Sequence, residues 1–146
     1  MQHTSTTAEG AMIGARSAAS PAGKRMLWIG RILSALPVLM LAMSASMKLA
    51  RLAPVTESWH EQFGYPDGAL LPIAVVEASC AIIYAIPRTA VLGAVLVTGY
   101  LGGAVATHVR IGDPAFVAPL ILGVVAWAGL YLRDARVRSL LPLRPQ

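Results

Sequence analysis

Four long apolar runs separated by short polar intervals constrain this chain more than any other feature. They occupy about residues 27–50, 69–86, 89–108 and 116–132. Each run is long enough to cross roughly 30 Å of hydrocarbon as an α-helix. Hydrophobic residues make up 56% of the 146 residues and charged residues only 13%, and so short a chain cannot bury that much apolar surface inside itself. The sequence therefore predicts an all-α membrane protein with one four-transmembrane-helix bundle over 26–133.

The two ends of the chain differ from the spans in composition. Residues 1–25 are rich in Ser, Thr, Ala and Gly, which is typical of a disordered cytoplasmic tail. Residues 134–146 form a second, basic cytoplasmic tail. A cleaved signal peptide is the alternative for the N-terminal region, but the apolar run that follows is longer than a typical signal.

The distribution of Lys and Arg predicts how the bundle is oriented. If both termini are cytoplasmic, nine of the twelve basic residues lie on the inner side, and Lys48, Arg51 and Arg110 lie outside. This asymmetry is the positive-inside pattern of membrane proteins. Aromatic residues also fall at predicted span ends: Trp28, Tyr84 and Tyr131 on the inner side, and Trp59, Phe63 and Phe116 on the outer side. The basic residues do not form one patch, so no nucleic-acid partner is expected.

The interval 52–68 is polar and carries its own helical pattern. Pro54 suits the first position of a short helix. Val55, Trp59 and Phe63 then follow at i, i+4 and i+8, on one face. The pattern predicts an amphipathic helix that lies on the membrane interface between the first two spans.

Glu77 is the most informative residue, because it lies near the centre of the second span. A carboxylate there costs about 2.5–3.5 kcal/mol on insertion scales, so it needs a partner inside the bundle. Tyr100 lies at similar depth in the third span, and Arg31 has a long side chain that approaches from the inner side. We predict a polar core of Glu77 with Tyr100 or Arg31. A ligand-binding or proton-titratable role and a structural hydrogen bond both remain open for it.

Three basic residues near the outer span ends form a second candidate site. Lys48, His108 and Arg110 would make an electropositive rim suited to an anionic head group or substrate. The alternative for Lys48 is that its side chain snorkels outward to water. We expect no metal site, because no second His or Cys lies at ligand spacing from His108.

Gly99 and Gly103 form a GxxxG pair in the third span. Small residues at this spacing let a second helix approach closely. The pair predicts close packing against another helix of the bundle, or against a second copy of the chain in a homo-oligomer. Cys80 is the single cysteine and lies in an apolar run, so no intramolecular disulfide forms and the thiol is expected to be buried.

Several segments of the chain resemble the DoxX-like family of bacterial integral membrane proteins. They are the 46–49, 64–66 and 86–88 segments, Glu77, and the longest segment, 99–110, which reads GYLGGAVATHVR. Together they cover roughly residues 28–141. The resemblance implies a multi-pass four-helix protein of the inner (cytoplasmic) membrane. It also implies a link to membrane redox or oxidative-stress complexes, and hence to redox partner proteins.

Three functional hypotheses follow. The first is a non-enzymatic scaffold or accessory subunit in the lipid bilayer that binds a lipid-like or quinone-like molecule between its helices. The second is a subunit of a quinone-linked oxidoreductase, which the lone Cys80 disfavours for the chain acting alone. The third is a small proton-linked transporter that uses Glu77. It is disfavoured because the sequence shows no clear inverted repeat.

Overall fold

The computed structural model describes residues 21–140, and the regular structure of this part is entirely helical. The elements in chain order are α1 (Pro21–Leu49), α2 (Ala53–Glu57), a π-helical turn (Ser58–Gln62), α3 (Asp67–Ala85), α4 (Ala90–Arg110), a 3-10 turn (Pro114–Phe116), α5 (Val117–Arg133) and α6 (Ala135–Leu140). Four of these helices, α1, α3, α4 and α5 with its preceding turn, are long and apolar enough to cross a membrane. The prediction of an all-α four-helix membrane protein is confirmed for the described residues.

The ends of the bundle differ from the prediction in two places. The described part of α1 starts at Pro21, so residues 21–25 of the predicted N-terminal tail are helical. Ala, Lys, Arg and Met continue a helix readily. The predicted C-terminal tail begins with the helix α6. Residues 1–20 and 141–146 of the predicted tails lie outside the described residues.

The four long helices form a ring in which each contacts two neighbours. Helix α1 packs against α3 and α5, and α4 packs against the same two helices. The connection between α3 and α4 is short because Pro87 stops α3 and forces Ile86 into an extended conformation (ψ 120°). Thr89 closes this turn by donating its hydroxyl proton to the carbonyl of Ile83, at 2.7 Å.

We name the two ends of the bundle by one residue each. The Lys48 end contains the end of α1, residues 50–66, the start of α3 and the connection between α4 and α5. The Arg133 end contains the start of α1, the connection between α3 and α4, the end of α5, and α6.

Tyr84 anchors the core near the Arg133 end. Its side chain is fully buried, and its hydroxyl donates to the carbonyl of Ala126 at 2.7 Å and lies 3.1 Å from Oγ of Ser34. Tyr84 therefore connects three helices and does not belong to an aromatic belt at the membrane surface, as its position at a span end had suggested. A phenol can be buried among apolar helices because these partners satisfy its hydroxyl.

The outer surface of the bundle is apolar. Large hydrophobic side chains on all four long helices are more than half exposed, among them Ile32, Leu39, Ile82, Leu92 and Val124. A surface of this kind needs a cover of lipid or of other membrane helices. Cys80 lies inside the bundle, where it is 5% exposed.

Candidate ligand site

The charged centre of the site is an ion pair between Lys48 of α1 and Glu77 of α3. Nζ of Lys48 lies 2.7 Å from Oε2 of Glu77, and the two side chains are 14% and 2% exposed. The same ammonium donates to Oγ of Ser44 at 2.6 Å. A carboxylate at this depth is tolerated because a cation and a hydrogen-bonding shell compensate its lost hydration.

The direction of side chains on helices explains why these two residues meet. Side chains on an α-helix lean toward the helix N-terminus. Lys48 lies one residue before the end of α1, so its side chain leans back into the bundle and not outward. Glu77 leans toward the start of the antiparallel α3, which is at the Lys48 end. The expectation that Lys48 snorkels outward was wrong, because the helix geometry turns both side chains toward each other.

Arg31 does not join this polar core, and its predicted pairing with Glu77 was wrong. Its side chain is exposed, and its guanidinium lies 5.5 Å from the centre of the Trp28 ring. The same lean toward the helix start carries Arg31 toward the Arg133 end, away from Glu77.

Two cavities flank the ion pair and share one wall. The first has a volume of about 330 Å³ and extends toward residues 59–65. The second has a volume of about 260 Å³ and contains the Glu77 carboxylate and the apolar side chains of Leu41 and Leu122. The shared wall consists of Lys48, Tyr100, Ala104 and His108.

Tyr100 lies close to Glu77. It lines both cavities, and it is close enough to Glu77 for the two groups to interact electrostatically. The site therefore places an ammonium, a carboxylate and a phenol along two adjacent, partly open cavities.

Gly99 and Gly103 line the first cavity and do not pack against a neighbouring helix. A Cβ atom built on either glycine meets no atom within 4 Å. The prediction that they pack within the bundle was wrong, and contact with a second copy stays a prediction. Their effect in this chain is to leave empty space beside Tyr100. Gly93 and Gly129 make close helix contacts instead.

The predicted rim of three basic residues is divided by the structure. Lys48 turns inward, whereas His108 lines both cavities and pairs through Nδ1 with Oδ2 of Asp113 at 2.8 Å. The Asp113 carboxylate also accepts the backbone N–H of Ala115, and these bonds, the Ala115 bond first, hold the pKa of Asp113 below its ordinary value. Since an ionised carboxylate only accepts, Nδ1 of His108 donates, which leaves Nε2 to bond a bound molecule. Arg110 is exposed and donates to the carbonyl of Phe63.

Three aromatic residues of the 52–66 segment close the first cavity. Trp59, Phe63 and Tyr65 all line it. Trp59 is buried, its ring lies 4.9 Å from that of Tyr65, and its indole N–H donates to the carbonyl of Pro66 at 3.2 Å. The Tyr65 hydroxyl lies 2.8 Å from Oγ1 of Thr107 on α4. The i, i+4 pattern of Trp59 and Phe63 had indicated an apolar face, but it could not show that the face covers a cavity.

The combination of these groups suits an amphipathic molecule. The apolar walls fit a ring or chain, while Lys48, Tyr100 and His108 can donate to or accept from its polar end. Lys48 has three N–H donors. Ser44 and Glu77 each receive one, which leaves one donor for a bound oxygen.

Comparison with known proteins supports the grouping that the sequence motifs suggested. Residues 32–129 match the model of the DoxX-like family, and this stretch contains the whole shared wall and Glu77. No curated protein and no solved structure matches the chain. Since the family match covers well over half of the 146 residues, the protein is a multi-pass membrane protein that belongs to the DoxX-like family.

Proposed function

We propose that this protein is a non-enzymatic membrane module, a scaffold or accessory subunit of a redox or stress complex, that binds a quinone-like molecule at the Lys48 end. One observation carries the proposal: a buried ion pair whose ammonium faces two apolar cavities. The family match and the four apolar helices support the membrane part of the proposal. The redox or stress complex itself is carried over from the family resemblance.

Orientation is part of the proposal. The Arg133 end faces the cytoplasm of a cell with an inner membrane, both termini are cytoplasmic, and the 52–66 segment lies at the outer interface. The excess of Lys and Arg at the Arg133 end supports this orientation. A ligand would then enter from the outer half of the bilayer, beneath the aromatic residues 59–65.

The chemistry of the cavities favours a neutral, carbonyl-bearing ring over a fully charged ligand. Lys48 is already neutralised by Glu77, so a strongly anionic group would have to compete with that carboxylate. A quinone carbonyl needs only a hydrogen-bond donor, which the remaining Lys48 N–H or the Tyr100 hydroxyl supplies. Ligand cavities of about 300–1,000 Å³ are typical for small molecules, and the first cavity alone has about 330 Å³.

Tryptophan quenching tests the proposal. Trp59 lines the first cavity, while Trp127 lies between α4 and α5, where its N–H bonds Thr98. A protein that keeps only Trp59 (Trp28→Phe/Trp127→Phe) should show saturable fluorescence quenching by decylubiquinone in detergent. A protein that keeps only Trp127 should show the linear quenching of a quinone that is merely dissolved in the micelle.

Two adjacent glycines provide matched variants in the Trp59-only protein. Gly103→Leu adds a side chain to the first cavity. Gly102→Leu adds the same side chain to a separate apolar groove of about 570 Å³ between α4 and α5, which Trp127 also lines. Gly103→Leu should abolish saturable quenching and Gly102→Leu should retain it. Tyr100→Phe should weaken binding about fivefold, the effect of one lost hydrogen bond. Equal quenching in both glycine variants, or no saturable component in the parent, would overturn the proposal.

A further inference from the structure

The Arg133 end carries a second, chemically different pocket. Arg31 of α1 and Arg133 of α5 line one cavity of about 140 Å³, together with Leu27, Pro87 and Leu130. This cavity is at the opposite end of the bundle from the ion pair of Lys48 and Glu77. Nothing in the proposed quinone site uses these two arginines.

The two guanidinium groups have no acidic partner in the part of the chain that the structure describes. Within residues 21–140, neither Arg31 nor Arg133 forms an ion pair with a carboxylate. Asp134 also lines the cavity, but its Oδ1 accepts the backbone N–H of Arg136 at 2.8 Å and so caps the start of α6. The cavity is therefore electropositive even with this acid beside it.

Arg133 is held in place while part of its guanidinium stays unused. One terminal nitrogen donates to the carbonyl of Tyr84 at 3.2 Å, and the group lies 5.1 Å from the centre of the Tyr84 ring. A guanidinium carries five N–H donors, and within the described residues that of Arg133 donates only to Tyr84. Its Nε is covered by protein atoms, so the terminal nitrogens keep the donors that can bind an oxygen of a bound molecule.

The surroundings of the pocket fit a lipid head group. Trp28 is 61% exposed and lies beside Arg31, as an indole at the boundary between head groups and acyl chains does. Exposed Ile32 continues this surface along α1 toward the middle of the bundle. A molecule with a phosphate at the two arginines and acyl chains along α1 would match both the basic cavity and the apolar surface beside it.

We propose that Arg31 and Arg133 form a binding site for the phosphate of an anionic phospholipid. Arginine pairs well with phosphate oxygens because its planar guanidinium offers several N–H donors in one plane. Basic pockets between transmembrane helices bind anionic head groups by the same chemistry. The site does not depend on the quinone proposal, since the two share no residue.

Trp28 reports on this site directly. A protein that keeps only Trp28 (Trp59→Phe/Trp127→Phe) is reconstituted in phosphatidylcholine vesicles that contain a small fraction of brominated lipid. Brominated phosphatidylglycerol should quench Trp28 at a lower mole fraction than brominated phosphatidylcholine does. Arg31→Gln should reduce this preference about fivefold, as expected for one arginine at a membrane surface.

Arg136 provides the matched control. It is an exposed arginine at the same end and does not line the cavity, so Arg136→Gln should keep the preference. Arg133→Gln should also lose the preference, and because it removes the contact with Tyr84, Arg31→Gln is the decisive variant if Arg133→Gln fails to fold. Excess inorganic phosphate at constant ionic strength should leave the quenching unchanged.

Three results would overturn the proposal. The first is equal quenching by the two brominated lipids in the parent protein. The second is an equal loss of preference in Arg31→Gln and Arg136→Gln, which would indicate a diffuse charge effect. The third is release of the brominated lipid by inorganic phosphate, which would assign the pocket to a soluble phosphate.

Discussion

At the scale of single residues, the ion pair between Lys48 and Glu77 is the feature on which the candidate site depends. The sequence indicated that Glu77 needs a partner and offered Tyr100 or Arg31. It did not identify Lys48, because depth along a helix does not show how side chains lean toward the helix N-terminus. The same lean removes Arg31 from the core. Position along a span therefore predicts which residues need partners, while direction on the helix selects the partner.

Breaking the ion pair should destabilise the fold. Glu77→Ala leaves the Lys48 ammonium largely buried without its carboxylate, which should lower the free energy of unfolding by about 3–5 kcal/mol. Glu77→Gln keeps an oxygen that accepts from Lys48 but also removes the negative charge, so it should lose less than Glu77→Ala, about 1.5–3 kcal/mol. Unfolding in detergent, followed by circular dichroism, measures both values.

A double-mutant cycle separates this coupling from local packing. The cycle compares Lys48→Met, Glu77→Leu and the double variant Lys48→Met/Glu77→Leu. The double variant should be more stable than Glu77→Leu alone, because no uncompensated charge remains in the bundle. Losses that simply add across the single and double variants would mean that the two residues do not interact.

At the scale of helices, glycines set the distances between neighbours, but not the pair that the sequence motif suggested. A Cβ on Gly93 would lie 2.3 Å from the backbone N and Cα of Tyr84, and one on Gly129 would lie 2.7 Å from the backbone N of Ser34. These contacts close the α3–α4 and α1–α5 interfaces. The GxxxG spacing of Gly99 and Gly103 could not show that these residues lie on an open face, because the motif gives the spacing of two small residues and not the direction in which they point.

Alanine substitutions at the glycines should divide into two classes. Gly93→Ala forces the backbones of α3 and α4 apart and should cost about 1–3 kcal/mol. Gly99→Ala meets no atom within 4 Å and should be neutral or slightly stabilising, since alanine favours a helix more than glycine does. Thermal unfolding of the two variants in the same detergent compares them. A Gly99→Ala protein less stable than Gly93→Ala would show that the open face is covered by another molecule.

Hydropathy carries more information on the limits of the helices than on their rotations. The second predicted span, 69–86, became Asp67–Ala85, and the third, 89–108, became Ala90–Arg110. Hydropathy fixes such limits because polar segments must leave the hydrocarbon. It gives little information on rotation, since the lipid-facing and core-facing sides of these helices are both apolar. Exposed Ile82 and fully buried Tyr84 lie two residues apart in one apolar run.

At the scale of the whole molecule, orientation in the membrane follows from charge. We expect the Arg133 end to face the cytoplasm because most Lys and Arg residues lie there. An alkaline phosphatase reporter fused after Gln146 should be inactive, and one inserted within 52–66 should be active. A green fluorescent protein fused after Gln146 should fluoresce. The reverse pattern would place the proposed quinone site on the cytoplasmic side.

The ion pair also bears on how the protein is made. Lys48 precedes Glu77 by 29 residues, and both belong to the first two of the four long helices. During synthesis the cation is thus already present when the acid emerges, and α1 and α3 can neutralise each other as a hairpin before α4 has been translated. Glu77, the residue that costs most to place in lipid, can therefore be neutralised before synthesis is complete, because its counter-ion Lys48 precedes it in the chain.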